Sequence, residues 1–75
     1  MTDRIPQMKP REMIRVLEKF GFLVKRQTGS HIFMHNSNTK NTTVIPFHAK
    51  DIHRGVLFEM LKQAGISKED FLKKL

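Results

Sequence analysis

The sequence predicts a small α+β domain in which a three-stranded antiparallel sheet packs on two helices, with a short extra helix at the C-terminus. Three patterns lead there. Met13, Val16, Leu17 and Phe20 recur at helical spacing and stop at Gly21. Between residues 22 and 47, three apolar or β-branched segments are parted by turn-forming residues. Val56, Leu57, Met60, Leu61 and Ala64 then restore the helical period before Gly65.

Residues 1–8 show no apolar period and read as a flexible tail, leaving 9–75 as the single domain. Helix one is expected over 10–20, because proline suits the first helical position, where a missing N–H costs nothing. A strand over 22–27 enters a hairpin at Thr28-Gly29-Ser30, and His31-Ile32-Phe33-Met34-His35 returns from it. Residues 36–41 are rich in Asn, Ser and Thr, which bond their own backbone in turns, and 42–47 form the third strand. Asp51 reads as the N-cap of the second helix. Ser67-Lys68-Glu69-Asp70 has the form of a capping box and opens a terminal helix carrying Phe71, Leu72 and Leu75. Such a meander buries one face under its helices and leaves the other open for binding.

The 75 residues exclude a second domain and contain no cysteine, which removes thiolate chemistry and Cys-based zinc sites. No stretch approaches the ~20 apolar residues of a membrane span, and residues 1–6 contain no signal-like apolar run, so a cytoplasmic protein is expected. Lys and Arg number 14 against 7 Asp and Glu, for a net charge of +7. A domain this basic is suited to polyanions, nucleic acid above all, although charge that only confers solubility would look the same.

Four histidines, His31, His35, His48 and His53, supply proton-transfer groups. The imidazole pKa of about 6.5 allows gain and loss of protons near neutral pH. RNA backbone cleavage needs that twice, since a base takes the ribose 2′-hydroxyl proton and an acid protonates the departing 5′-oxygen. His31 follows Gly29-Ser30, where a tight turn lets a phosphate approach the backbone and Ser30 can donate to it. Read without further context, Gly29-Ser30 is equally a simple hairpin turn. His31 and His35 share one side of their strand with Phe33 between them. No nearby carboxylate or thiolate completes a zinc shell, so no metal is expected. Lys25 and Arg26, with Lys50 and Arg54, are candidates to position phosphates. Phe33 and Phe47 are candidates to stack on bases, but phenylalanine in so short a chain is more often core.

The helix Lys9-Pro10-Arg11-Glu12-Met13-Ile14-Arg15-Val16-Leu17-Glu18-Lys19-Phe20-Gly21-Phe22, the motif Gln27-Thr28-Gly29-Ser30-His31, the strand Thr43-Val44-Ile45-Pro46-Phe47-His48 and the segment from Gly55-Val56-Leu57 to Lys62-Gln63-Ala64-Gly65-Ile66-Ser67 occur in that order. Together they resemble the HicA family of toxin ribonucleases over about residues 9–67. The resemblance implies a double-stranded-RNA-binding-domain-like α-β-β-β-α fold and a catalytic histidine at His31. It also implies cleavage of messenger RNA without a cofactor and inhibition by a HicB-like antitoxin protein. Gly29, Ser30, Lys25, Arg26 and His48 are then the expected RNA-binding residues, with His48 also a candidate for the proton-transfer group opposite His31. The alternatives are a non-catalytic RNA-binding module and a protein-interaction domain. Duplex-binding modules usually place lysines at the start of the last helix, and Asp51-Ile52-His53-Arg54-Gly55 lacks them.

Overall fold

The computed structural model describes residues 5–47 and 50–75. Its elements are α1 (Pro10–Lys19), β1 (Leu23–Thr28), β2 (His31–His35), β3 (Thr42–Pro46), α2 (Arg54–Ala64) and α3 (Lys68–Lys73). This is the predicted order, an α+β fold of the double-stranded-RNA-binding type with an added C-terminal helix. Pro10 opens α1, and the Glu12 carboxylate accepts the backbone N–H of Lys9 at 2.9 Å. The helix closes at Gly21, where Gly21 N–H donates to the Glu18 carbonyl and Phe22 N–H to the Leu17 carbonyl. These bonds satisfy two of the carbonyls that every helix end leaves without a partner.

The strands form a meander in the order β1-β2-β3, antiparallel throughout. Alternation along β2 and β3 sends Ile32, Met34, Thr43 and Ile45 into the core and His31, Phe33, Val44 and Pro46 to the opposite face. Both α1 and α2 pack against β3. The helices therefore leave β1 uncovered, and all six of its residues are exposed. The β1 register shifts between Val24 and Arg26, a bulge at Lys25 that interrupts an otherwise open edge strand.

Two expectations are corrected. Residues 1–8 read as a loose tail, yet Ile5 and Met8 are 2% and 5% exposed and belong to the core. Burying a side chain of this size contributes on the order of 1.5–3 kcal/mol, enough to recruit a short segment that has no period of its own. Asp51 is not the N-cap of α2. The helix begins at Arg54, after His53, whose side chain makes no capping bond. The cause lies upstream: Ile52 is buried and bridges Met8, its N–H donating to the Met8 carbonyl at 2.8 Å. An extended Ile52 delays the helix.

At the far end α2 closes on Gly65 (φ 71°), and the Ile66 N–H donates to the Leu61 carbonyl at 2.9 Å. Ser67 then caps α3, its Oγ accepting the Asp70 N–H at 3.1 Å, and Phe71 is fully buried. No helix of the described residues is long and apolar enough to cross a membrane.

Candidate functional site

The β1–β2 connection is two residues, Gly29 and Ser30, with Thr28 paired to His31 across it. Gly29 adopts φ 55°, the positive value that mirror-image hairpin turns require at their first central position. A Cβ built on Gly29 would meet nothing within 4 Å. The turn is open to an incoming group. The Ser30 carbonyl accepts the Phe47 N–H at 2.6 Å, which draws the end of β3 to the mouth of the hairpin.

His31 opens β2 directly after this turn, exposed and paired with Thr28 on one side and Pro46 on the other. It lines a groove of about 400 Å³ together with Val44, Pro46, Asp51, Ile52, His53 and Val56. An imidazole from the sheet, a second imidazole and a carboxylate from the approach to α2 thus share one apolar-walled cleft. Two histidines around one site can act as a base and an acid in one displacement.

The other predicted residues divide. Arg26 lies on the open face, its guanidinium 4.9 Å from the Phe33 ring centroid. Lys25 is the residue the register skips at the bulge. His35 lies on the open face with His31, and its Nδ1 is 2.8 Å from Thr42 Oγ1. Lys50 lines a separate cavity with Lys9, Pro10, Arg11, Glu12 and Phe47, and Arg54 lines another, with Ile5, Pro6, Gln7 and Leu57, that adjoins the His31 groove through Ile52 and His53. Neither Lys50 nor Arg54 lines the His31 groove itself. His48 lies outside the described residues. Among the described residues, no three of His, Cys, Asp and Glu come together as a metal site.

Sequence reasoning missed His53 and Asp51 as neighbours of His31. The signal was weak: His53 follows no motif, and Asp51 has the residue type of a cap. Only the return of the chain from β3 to α2 brings them to the hairpin.

The family model described as HicA toxin of bacterial toxin-antitoxin matches residues 10–66. That span runs from the start of α1 through α2 and includes the hairpin, His31 and the groove. No curated protein matches the chain.

Proposed function

This chain belongs to the HicA family of bacterial toxin–antitoxin toxins, and from that premise we propose that it is a metal-independent endoribonuclease that cleaves messenger RNA in the cytoplasm. His31 is its general acid or base. The observation that carries the reading is the placement of His31 beside an unobstructed glycine turn, in a groove that His53 also lines. Family membership makes the chain a toxin with an antitoxin partner, which we take to be a HicB-like protein that inhibits by covering the groove.

In the proposed reaction one imidazole removes the proton from the ribose 2′-hydroxyl, and the 2′-oxygen attacks the adjacent phosphorus. The bond to the 5′-oxygen breaks as the other imidazole protonates it. The products are a 2′,3′-cyclic phosphate and a free 5′-hydroxyl. The nucleophile is internal to the substrate, so holding it in line supplies much of the rate. His31 and His53 are assigned to the two proton transfers. The open backbone at Gly29 and the Ser30 hydroxyl receive the scissile phosphate, and Arg26 and Lys25 draw the adjoining backbone by charge.

The test is incubation of the purified protein with labelled messenger RNA in EDTA, comparing the parent with His31→Ala. The expected loss is roughly 10²- to 10⁴-fold, the scale of general acid–base catalysis, with thermal unfolding unchanged. Equal cleavage by both proteins removes His31 from the mechanism. RNA bound but cut by neither, with or without ribosomes, replaces the reading with a non-catalytic RNA-binding module.

A further inference from the structure

An antiparallel sheet with one solvated face ordinarily turns polar residues outward. This one does not. The open face carries His31, Phe33 and His35 in a row along β2, with Val44 and Pro46 beside them on β3. Alternate residues on a strand stand about 7 Å apart, so the row presents three flat rings at even spacing.

Phe33 is the informative member. The chain has six phenylalanines. Phe22 and Phe71 are buried, Phe20 and Phe47 pack against the core, and Phe58 is exposed on α2. Phe33 instead lies half-buried on the open face under the Arg26 guanidinium, 4.9 Å from its ring centroid. A cation over a ring face holds the two side chains against each other. His35 is steadied in turn by its 2.8 Å contact between Nδ1 and Thr42 Oγ1. The face is thus a set of oriented planar groups in a chain of net charge +7, and it leads to the groove at His31.

We infer that the open face of the sheet is a stacking platform for unpaired bases of single-stranded RNA, with the Phe33–Arg26 pair as its central seat. The inference rests on the ribonuclease reading for the identity of the polymer. It adds that the substrate enters as a single strand laid across β2, its bases on the rings and guanidinium and its scissile phosphate at the hairpin. Aromatic rings and arginine planes are the groups that receive splayed bases, and stacking tolerates any base because each has a π-face. A duplex, with its bases already stacked on one another, has nothing to place there. The chemistry also favours nucleic acid over a protein partner. The rings of His31, Phe33 and His35 share the face with the Arg26 guanidinium in a chain of net charge +7, which suits a polyanion.

The experiment uses the unmodified full chain and 2′-O-methyl RNA, which lacks the internal nucleophile, so that RNA is bound but not cut. Binding of a fluorescein-labelled unstructured RNA 12-mer and of the perfect duplex of that strand is measured by anisotropy. Phe33→Leu keeps apolar bulk and removes the π-face. It is expected to weaken single-strand binding about tenfold, the scale of one lost stacked base, and to leave duplex binding within twofold. Phe33→Trp is expected to retain single-strand binding. In a chain with no other tryptophan, its fluorescence should be quenched by the single strand and not by the duplex.

Single-strand affinity within twofold of the parent in Phe33→Leu, together with unquenched Phe33→Trp, overturns the platform. So does an equal loss for single strand and duplex. Loss of antitoxin binding by Phe33→Leu with RNA binding intact also overturns it and gives the face to the protein partner. Because these readouts do not depend on cleavage, a failed platform leaves the His31 result standing. A failed cleavage assay likewise leaves the platform open to confirmation by binding.

Discussion

The two ends of the sheet are built from similar residues and put to opposite uses. At one end the β2–β3 connection is saturated with bonds. Asn36, 4% exposed, donates from Nδ2 to the Phe20 carbonyl at 2.9 Å and accepts at Oδ1 from the N–H groups of Asn38 and Thr39. Asn41 reaches across to the Ala64 carbonyl at 3.1 Å. This turn ties the C-terminal ends of α1 and α2 to the sheet. At the other end, Gly29 and Ser30 make a bare two-residue turn with open space above the glycine. Small polar residues satisfy the fold at one end and leave room for a ligand at the other.

The largest effect on stability should come from breaking the saturated end. Asn36→Ala removes three hydrogen bonds, leaves the Phe20 carbonyl without its partner and opens space beside Gly21. A buried polar group left unsatisfied costs about 1–3 kcal/mol, and the lost turn bonds add to that. The expected cost is about 3 kcal/mol in urea unfolding. Cleavage per folded molecule should match the parent, because Asn36 and His31 stand at opposite ends of the sheet. Reduced cleavage by a fully folded Asn36→Ala protein would show that the two ends are coupled and would undo the contrast.

The next effect belongs to the open end. His53 makes no capping bond at the start of α2. His53→Ala should therefore leave unfolding within about 0.5 kcal/mol of the parent, as for most surface substitutions. If His53 carries one of the two proton transfers, cleavage should fall by roughly 10- to 100-fold, toward the low end of general acid–base contributions. Single-turnover cleavage in EDTA reads this directly. A variant that cuts at the parental rate removes His53 from the chemistry and leaves His31 to work with the Asp51 carboxylate of the same groove or with a group outside it.

How much of this was legible in the sequence follows the range of the interactions. The buried face of α1, the stops at Gly21 and Gly65 and the Ser67 cap are set by residues within a turn or two of one another, and each was readable from spacing. The three strands were readable from their β-branched content and from the turns between them. The packing of Ile5 and Met8 was not, because two apolar residues in a short segment show no period. Nor was the start of α2. Asp51 is a good cap by residue type, but pairing of Ile52 with Met8 across the fold prevails over that local preference. The groove depends on residues 31 and 51–53 lining one cleft, which no local pattern encodes. His31 itself was visible through its motif. That His31, Phe33 and His35 share a side followed from strand alternation, whereas the exposure of that side depends on where the helices lie.

The smallest predicted effect tests whether α3 belongs to the framework or to the site. It lies beyond the matched residues 10–66, yet it is tied in at both ends. Ser67 Oγ accepts the Asp70 N–H, Phe71 is fully buried, and Lys19 Nζ donates to the Lys74 carbonyl at 2.9 Å across to α1. Ser67→Ala loses only the cap, at about 1 kcal/mol. In a domain this small, that lowers Tm by about 4–8 °C. Cleavage and single-strand binding at a temperature where the variant is folded should equal the parent's, because no residue of α3 lines the His31 groove. A change in RNA binding larger than twofold at equal folded fraction would mean that α3 acts on the substrate, and the division between framework and site would have to be drawn elsewhere.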